Sequence, residues 1–598
     1  MELTIFATTD VHGAIYPYNY FDDVEKSHSL LHVASYIEQY KQTHEGIVLT
    51  VDNGDMFQGD TWNDYDVAHP EHALVPKVIN SIYDVIGLGN HEFNYGFKHL
   101  TEMLSKLTVP VINSNIDFDN PLKDIVEHHY IKTILVDDKP LNIGFVSVVP
   151  TQVTAWDHVH FREDNTIVYP MFEAVKNTVE TVKAKGADVI VLLAHTGLNT
   201  ATDENNPHDE NQAYLYAKFA TEIGIHAIIC GHTHEVFPSE SRMLDNDAVD
   251  AAHGCIHNVP IVQPGVSATH LGKIDLGLTY ESGKWKVKRC QAKLIHSSEM
   301  TLNKEKLEQF ESAHIAVKNY LSTPITTLDA HWHTYFAQVL PSPAVQVAGE
   351  ASKDFVERLI TDKELPDLPV LSFNAPTRGG RDGAHDYTNI PSGPITLSDA
   401  INLYKHANTI TVLQINGATL REWLEWSASQ FLTLGAPRLI APNDSNTGFP
   451  SYNYDMFYDL NYVIDITSDP RYNNSGYKIS DETRILSVKY NGKEVAHDDQ
   501  FLVAANNYRA SNTPFLQGPD TKVVYESSEL VRDILIDYLQ RQKKFTTRMP
   551  FTLKPQGTYK FMSATNARTY IKDEPIRHVK ELENGFSLYE VTYGNHKE

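Results

Sequence analysis

The amino-acid sequence predicts an α/β protein whose first half folds as a two-sheet sandwich with helices on both faces, an αββα arrangement. Short apolar runs rich in β-branched residues alternate with segments whose apolar residues recur at helical spacing, a pattern typical of βαβ units. A helical segment follows, and after it a region rich in Tyr, Asn, Pro and Gly predicts a second α+β domain. We therefore expect two domains joined by a helix.

Five apolar runs are short enough for buried parallel strands and too short for independent helices. They occupy residues 3–7, 47–51, 85–88, 189–193 and 226–230. Helical spacing precedes two of them, as at Leu31, Ala34 and Ile37 before the second run. Further strand-like runs near residues 111, 143 and 273 would complete the two sheets, and we assign residues 1–295 to the first domain.

The segment 301–322 carries apolar residues on one face and charges elsewhere, as expected of a helix that joins domains. We assign residues 296–329 to this linker helix. Residues 330–555, with their own helical and strand-like patterns, form the predicted second domain. The polar stretch 556–598 is treated as a C-terminal extension, and the sequence predicts no role for it.

Composition and charge exclude several classes of partner. The net charge of −27 argues against nucleic-acid polymers and anionic membranes, because both require a basic surface. No apolar stretch approaches the ~20 residues that span a bilayer, and no secretory leader pattern precedes the first run. Cys230, Cys255 and Cys290 form no CxxC pair, which fits a reducing compartment. We expect a cytoplasmic protein, and the sequence leaves its oligomeric state open.

A short polar cluster follows each of the five apolar runs. The clusters are Asp10-Val-His12, Asp52-Asn-Gly-Asp55, Asn90-His91-Glu92, Ala194-His195-Thr196 and Gly231-His232-Thr-His234. Taken singly, Asp10 and His12 could cap a helix, Asp55 could be a turn residue, and His195 a hydrogen-bonded core histidine. Because the carboxyl ends of parallel strands share one edge of a sheet, their conjunction instead favours one functional site.

The residue types in these clusters point to divalent metal ions. Carboxylates, neutral imidazoles and an asparagine carbonyl suit Mn²⁺, Zn²⁺ or Fe²⁺, whereas Ca²⁺ favours oxygen ligands alone. Two such ions about 3.5–4 Å apart can share a carboxylate, activate a water and neutralise a phosphoryl group. The candidate ligands, enough for two ions, are Asp10, His12, Asp55, Asn90, His195, His232 and His234.

The motifs Asp-x-His, Gly-Asp-x-x-x-Gly, Gly-Asn-His-Glu, Ala-His and Gly-His-x-His, in this order, resemble those of calcineurin-like metallophosphoesterases. The second half resembles the C-terminal domain of the 5′-nucleotidase family. Several stretches are similar to its 2′,3′-cyclic-nucleotide 2′-phosphodiesterase/3′-nucleotidase branch: Thr8-Thr-Asp-Val-His12, Tyr18-Asn-Tyr-Phe-Asp22, Asp52-Asn-Gly-Asp55, Gly89-Asn-His-Glu-Phe-Asn-Tyr-Gly96, Ser372-Phe-Asn-Ala-Pro376 and Asn506-Asn-Tyr-Arg509.

The resemblance implies two metal sites that share Asp55. Asp10, His12 and His234 would complete the first site. Asn90, His195 and His232 would complete the second.

The resemblance also implies that His91 faces the substrate, where it stabilises the transition state or protonates the leaving oxygen. In the 5′-nucleotidase branch an aspartate three residues later orients this histidine. Here that position is Asn94, which carries no charge and matches the cyclic-phosphodiesterase branch. The alternative is that Asn94 is a neutral structural substitution.

The second domain is expected to hold the nucleoside, with its base between two aromatic rings. Tyr452 fits the first ring, and the second is open between Phe515, which matches by spacing, and Tyr508. Each aromatic residue also suits a hydrophobic core, and each arginine a solvated loop. The candidate substrate-binding residues are Asn374, Arg378, Arg381, Tyr452, Asn507, Tyr508 and Phe515.

The leading hypothesis is an enzyme that converts 2′,3′-cyclic nucleotides to 3′-nucleotides and then to nucleosides. The alternative enzyme is a 5′-nucleotidase or UDP-sugar hydrolase on the same scaffold. A nucleotide-binding or sensing protein without catalysis would require a missing ligand, and none of the seven is missing.

Overall fold

The computed structural model describes the chain except for residues 21–22, 163, 200–205, 240–247, 441–447, 543, 573 and 595–598. The chain forms two compact units, Met1–Leu321 and Ser322–Glu598. The helix predicted near residues 301–322 runs over Lys304–Leu321 and belongs to the first unit, where Phe310 and Val317 are buried. Of the helices described, none is long and apolar enough to span a bilayer.

In the first unit, one sheet contains seven strands within the described ranges. In spatial order they are Lys284–His296, His270–Glu281, Glu2–Thr8, Ile47–Asp52, Val85–Gly87, Val111–Ile112 and Val126–Glu127. The strands from Glu2–Thr8 to Val126–Glu127 run parallel. Thr8 pairs with Asp52, and Asp52 with Ile86, so the loops after these strands leave from the same edge.

The second sheet of this unit contains eight strands in the part of the chain described. Its main order is Val249–Asp250, Cys255–Ile256, Val259–Pro264, Ala227–Cys230, Val189–Ala194, Lys139–Val148 and His129–Val136, and Val236–Phe237 pairs with Val259–Pro264. Ala194 lies opposite Cys230 in a parallel pair. The predicted clusters at His195 and His232 therefore also begin at one edge.

The two sheets pack face to face through fully buried aliphatic side chains. Leu3, Ile5 and Ala7 alternate along the first strand and share one core with Val191 and Leu193 of the second sheet. This is the period-2 pattern of a strand whose face is buried against another sheet. The two-sheet sandwich predicted from the apolar runs is confirmed.

Helices cover the outer faces of this sandwich. The helices of the first unit are Leu30–Thr43, Thr61–Ala68, Leu74–Ile82, Gly96–Leu104, Val153–Trp156, His158–Arg162, Met171–Ala184, Ala213–Ile223 and Lys304–Leu321. Phe6, on the outer face of the first sheet, packs edge-on against Tyr36 and Tyr40 of the first helix. Val175 and Val179 pack on the outer face of the second sheet. Short ladders pair Tyr18–Asn19 with Val24–Glu25 and Ile116–Asp117 with Ile167–Val168.

The second unit is built on a mixed sheet whose described strands are, in spatial order, Met456–Phe457, Val370–Asn374, Gln500–Asn506, Thr409–Asn416 and Thr521–Leu530. A second sheet contains Lys493–Glu494, Ile485–Tyr490, Leu460–Asp465 and Phe551–Lys554, and a third Gly557–Ala564, Phe586–Tyr593 and Ile576–Glu581. Short ladders join Pro324–Leu328 to Gly393–Thr396 and Trp332–His333 to Asn389–Ile390. The helices are Pro343–Thr361, Leu397–Leu403, Gly417–Ser427, Asn507–Asn512 and Val531–Arg541.

The strands Gly557–Ala564 and Phe586–Tyr593, in the segment for which the sequence predicted no role, are part of the second unit's core. Phe561, Tyr589 and Val591 are buried and pack with Trp423 and Phe457 in one cluster. The alternation of buried and exposed residues along Phe586–Tyr593 is that of a half-buried strand.

Candidate functional site

The five polar clusters meet in the first unit, at the edge where the parallel strands end. Left-handed backbone conformations, which are uncommon outside glycine, are concentrated there. Five of the seven predicted ligands have positive φ: Asp10 (49°), His12 (50°), Asp55 (59°), His232 (72°) and His234 (59°). Such conformations persist only where the surroundings enforce them, and they cluster at functional sites.

Asp10, His12 and His234 form the first group of potential metal ligands. Nε2 of His12 lies 3.2 Å from Nε2 of His234, and Nε2 of His234 lies 3.5 Å from Oδ1 of Asp10. The ligand atoms of this group all lie within 4.8 Å of one another, a separation that one ion can bridge. Asp55 adjoins the group, because its Oδ2 is 3.9 Å from Nε2 of His12.

Asp10, Asp55 and His195 form a second, fully buried group. Nε2 of His195 lies 3.1 Å from Oδ2 of Asp55 and 3.9 Å from Oδ1 of Asp10. Oδ1 of Asn90 lies 3.1 Å from Nε2 of His195 and 2.7 Å from Nδ1 of His232. All seven predicted ligands are thus brought together, and Asp55 adjoins both groups.

Backbone carbonyls and a carboxylate set which ring nitrogen of three histidines carries hydrogen. Nδ1 of His12 donates to the Gln58 carbonyl at 2.9 Å, and Nδ1 of His195 to the Asn53 carbonyl at 2.8 Å. Nε2 of His232 donates to Glu210 at 2.6 Å. Since these oxygens only accept, the opposite ring nitrogen of each neutral histidine keeps its lone pair for the cluster, the arrangement typical of metal-binding histidines.

The resulting contacts bring electron-rich atoms face to face. Nε2 of His195 opposes Oδ1 of Asn90 and Oδ2 of Asp55, and the buried Asp55 Oδ2 has no hydrogen-bond partner. Nε2 of His12 likewise opposes Nε2 of His234. Opposed lone pairs in a buried site are unfavourable unless a proton or a metal cation lies among them. The residues present therefore fit divalent metal ions.

The pKa values of the buried carboxylates and histidines also indicate that this site favours positive charge. Burial lowers the pKa of His195, yet Asp55 and Asp10 raise it to about 10. Burial and the charge of Asp55 raise the pKa of Asp10 to about 7. Burial lowers the pKa of His12 to about 3 and that of His234 to about 4, which keeps both imidazoles neutral and able to coordinate.

His91 lies beside this cluster and is held at two points. Its backbone N–H donates to Oδ1 of Asp55 at 2.7 Å, and its Nδ1–H donates to Oδ1 of Asn94 at 2.7 Å. Burial lowers the pKa of His91, but Asp55, the Asn94 hydrogen bond and Asp157 raise it above its usual value. The protonated imidazole that this role requires stays a prediction.

Sequence reasoning missed Asp157. Its two carboxylate oxygens accept hydrogen bonds from Nδ2 of Asn94, at 3.0 and 3.2 Å, so the amide links His91 to a carboxylate. Burial raises the pKa of Asp157 to about 6, against the opposing effects of Asn94 and His91. No local motif marks this residue, which lies 63 positions from Asn94 in the sequence.

The role of Glu92 was also missed, although the residue stands within a quoted motif. Its carboxylate accepts the backbone N–H groups of Asp55 at 2.8 Å, Met56 at 2.7 Å and Phe57 at 3.1 Å. It therefore holds the turn that presents Asp55. Gly89 is required for close approach, because a Cβ there would lie 2.3 Å from Oδ1 of Asp55.

In the second unit, Tyr452, Tyr508 and Arg381 lie in one region. The Arg381 guanidinium lies 5.0 Å from the centre of the Tyr452 ring, and the residue Tyr508 is 43% exposed. Arg509, whose role was not foreseen, ties this region together. Its guanidinium donates to the Tyr452 carbonyl at 2.8 Å and pairs with the buried Asp455 at 2.9 Å.

The remaining predicted substrate-binding residues are engaged within the fold. Phe515 packs against Trp426 and Tyr472, with ring centres 5.5 Å away in each case. The Arg378 side chain is 11% exposed, and its guanidinium donates to Asp386, Asn402 and the His385 carbonyl. Asn374 donates to the Val345 carbonyl at 2.8 Å, and Asn507 accepts from the Thr409 N–H at 3.1 Å.

Comparison with known proteins agrees with this arrangement. Residues 3–236 match the calcineurin-like phosphoesterase family model, and residues 377–515 match the 5′-nucleotidase, C-terminal domain model. The chain is 33% identical to the 2′,3′-cyclic-nucleotide 2′-phosphodiesterase/3′-nucleotidase of Salmonella typhimurium, over 91% of this chain and 86% of the relative.

Two further similarities extend over nearly the whole chain. The trifunctional nucleotide phosphoesterase protein YfkN of Bacillus subtilis is 31% identical over 99% of this chain, which spans 42% of the length of YfkN. A solved structure of a putative 5′-nucleotidase from Staphylococcus aureus, in complex with α-ketoglutarate, superposes with a TM-score of 0.69. That structure is 23% identical and covers 92% of this chain and 100% of its own, which shows a shared fold.

The resemblance seen in the sequence motifs is confirmed by the family models and by the whole-chain relatives. The chain belongs to the calcineurin-like phosphoesterases that carry a 5′-nucleotidase C-terminal domain, and it is a hydrolytic enzyme.

Proposed function

We propose that this enzyme opens nucleoside 2′,3′-cyclic phosphates to 3′-nucleotides and then removes the 3′-phosphate. The observation that carries the proposal is the hydrogen bond between Nδ1 of His91 and Asn94. The 5′-nucleotidase branch has an aspartate at the position of Asn94. The chain is also 33% identical to an enzyme named for this pair of reactions. Small-molecule nucleotides are the proposed partners.

We infer that two divalent cations are held by the seven clustered side chains, with Asp55 between them. Bound there, such cations polarise a phosphoryl group and lower the pKa of a water molecule. The carboxylate, imidazole and amide donors suit Mn²⁺, Zn²⁺ or Fe²⁺. Elemental analysis of the purified enzyme identifies the metal.

His91 supplies the proton that the leaving ribose oxygen requires. Its Nδ1–H is committed to Asn94, so the protonated ring offers its second proton from Nε2. Asp55 accepts the His91 backbone N–H and so holds the backbone of His91 beside the proposed metal ligands. General acid catalysis of this kind contributes roughly 100- to 10,000-fold to rates.

We infer that Tyr452 and Tyr508 hold the nucleobase by stacking. Stacking contributes about 1–3 kcal/mol per base and tolerates every base, which suits an enzyme of broad nucleotide scope. Tyr508 is favoured over Phe515 for the second ring, because Tyr508 is exposed whereas Phe515 packs against Trp426 and Tyr472. Arg381 lies against the Tyr452 ring and offers a charged donor at the same place.

A rate comparison across four substrates tests this function. The enzyme is assayed with Mn²⁺ on 2′,3′-cyclic AMP, 3′-AMP, 5′-AMP and UDP-glucose, with a chelator control. We expect the highest kcat/KM for the cyclic ester, measurable release of phosphate from 3′-AMP, and loss of both activities on chelation. Faster turnover of 5′-AMP or UDP-glucose would support the 5′-nucleotidase or UDP-sugar hydrolase alternative instead.

A further inference from the structure

A directly paired aspartate would contact His91 itself. The carboxylate of Asp157 instead contacts Asn94, and Asn94 contacts His91. The hydrogen-bonded chain runs from Nδ1 of His91 to Oδ1 of Asn94, 2.7 Å, and from Nδ2 of Asn94 to both oxygens of Asp157, 3.0 and 3.2 Å. We propose that Asp157 is a positioning residue for the acid step, acting on His91 through the Asn94 amide. This inference rests on the proposed role of His91 in nucleotide hydrolysis.

The hydrogen-bonding capacities of the three groups explain how Asp157 can act at a distance. An ionised carboxylate only accepts, so Asp157 draws the NH₂ group of Asn94 toward itself. The amide oxygen must then face His91, where it can accept from Nδ1–H. In this orientation both ring nitrogens of His91 can carry hydrogen, as the general acid requires. A reversed amide would present its own N–H to Nδ1 and disfavour the imidazolium.

Asp157 has no evident structural duty that would explain a buried carboxylate. The residue is 6% exposed, and within the described part of the chain Asn94 is the hydrogen-bond donor to its oxygens. Although it directly precedes the helix His158–Arg162, its side chain caps no backbone N–H in the described structure. A buried charge is costly unless it is paired, so its placement against the neutral Asn94 favours a role beyond folding.

The acid step opens the cyclic phosphate by hydrolysis. The oxygen of a water molecule bonds to phosphorus while the bond from phosphorus to O2′ breaks, and its electron pair stays on O2′. O2′ takes the proton from Nε2 of His91 and becomes the 2′-hydroxyl. The attacking water gives up one proton, which returns to His91 through solvent, so no other reactant is needed.

Two substrates separate positioning of the acid from general damage. The ribose oxygen of 2′,3′-cyclic AMP needs a proton to leave, whereas the nitrophenolate of bis(p-nitrophenyl) phosphate leaves without one. We expect Asp157→Asn to lower kcat for the cyclic nucleotide by about 10- to 100-fold with KM unchanged. Turnover of the nitrophenyl ester should fall less than about threefold, and metal content should stay at the wild-type level.

A double variant moves the carboxylate from position 157 to position 94 instead of removing it. In Asn94→Asp combined with Asp157→Asn, the carboxylate contacts His91 directly, and we expect most of the lost kcat to return. Asn94→Asp alone places two carboxylates against each other and should be slower than the double variant. If Asp157→Asn fails to fold, the test is the comparison of the double variant with Asn94→Asp alone. If the role of Asp157 were purely structural, the double variant would be the slower of the two.

Asp66 provides a matched control. It is also a buried carboxylate, but it accepts the backbone N–H groups of Leu74 and Val75, each at 2.8 Å. We expect Asp66→Asn to lower the melting temperature while leaving kcat on both substrates unchanged.

Equal losses on both substrates, loss of metal from Asp157→Asn, or no recovery in the double variant would each overturn the proposal. A wild-type enzyme that cleaves the nitrophenyl ester and 5′-AMP, but not 2′,3′-cyclic AMP, would refute the proposed function alone. The same variants would then test Asp157 on 5′-AMP, whose ribose oxygen also needs a proton.

Discussion

Asp55 has three distinct contacts, and each depends on the geometry of one short turn. Oδ1 accepts the His91 backbone N–H at 2.7 Å, whereas Oδ2 faces His195 at 3.1 Å and His12 at 3.9 Å. The Glu92 carboxylate holds this turn by accepting hydrogen bonds from the backbone N–H groups of Asp55 and Met56. If two cations are held on either side of it, as proposed, the Asp55 carboxylate would reduce their mutual repulsion.

Replacing Asp55 with Asn should remove both metals, because the amide keeps the size of the side chain but loses the charge that the two sites share. We expect metal content measured by elemental analysis to fall to near zero, and kcat/KM to fall at least about 100-fold. His234→Ala, which touches one group alone, serves as the comparison and should leave about one metal per chain. Retention of both metals by Asp55→Asn would refute the shared-ligand assignment.

Tyr508 and Phe515 compete for one proposed role, and their surroundings predict opposite effects of substitution. Tyr508→Leu should raise KM for 2′,3′-cyclic AMP by roughly 5- to 150-fold at nearly constant melting temperature, since it removes a stacking surface. Phe515→Leu should lower the melting temperature and change KM little, because that ring packs with Trp426 and Tyr472. Steady-state kinetics and thermal unfolding of both variants decide the matter, and the reverse pattern would assign the second ring to Phe515.

At the scale of elements, the positions where strands end were predictable because apolar runs and polar clusters alternate sharply there. Thr8, Asp52 and Ala194 each end a strand that such a run predicts. Thr8 and Asp52 lie opposite each other in one parallel pair, and Ala194 ends a strand of the second sheet that runs parallel to its neighbour. Asp157 and the choice between Tyr508 and Phe515 were not predictable, because both depend on contacts between segments far apart in the chain. Likewise, alternation along Phe586–Tyr593 indicates a strand, but local sequence does not say which core it joins.

The end of the helix Gly417–Ser427 depends on a residue nearly sixty positions later. The fully buried Arg484 donates to the Ala428 carbonyl at 2.9 Å, the Ser468 carbonyl at 2.9 Å and the Phe431 carbonyl at 2.5 Å. The Ala428 carbonyl belongs to the C-cap of the helix, where unpaired acceptors and the helix dipole both favour a cation. One guanidinium thus joins the helix end to two loops.

Arg484→Met should destabilise the second unit by at least about 3 kcal/mol, because it leaves several buried carbonyl groups without a donor. Arg484→Lys should recover only part of this loss, since an ammonium cannot reproduce the planar fork. Arg568→Met is the control, because Arg568 is exposed and pairs at 3.0 Å with the exposed Glu581, which predicts a change below about 1 kcal/mol. Denaturant unfolding followed by circular dichroism measures all three, and equal effects of the two methionine variants would contradict the assignment.

At the scale of the whole molecule, the two compact units have separate hydrophobic cores. The sandwich of the first unit is built around residues such as Ile5 and Val191, and the second unit around residues such as Trp423 and Leu413. All seven potential metal ligands belong to the first unit. Binding of metal should therefore stabilise one unit directly and leave the other unchanged.

Differential scanning calorimetry of the metal-loaded and chelated enzyme tests this division. Binding to the native state alone contributes about 4 kcal/mol at a thousandfold excess over Kd. For a unit of this size, that shifts its melting temperature upward by several degrees. We expect two transitions, of which only one moves on chelation, while Arg484→Met lowers only the other. Asp55→Asn should abolish the metal-dependent shift. A single transition that moves as a whole in every sample would show that the units unfold together, because coupling between them would then outweigh their separate cores.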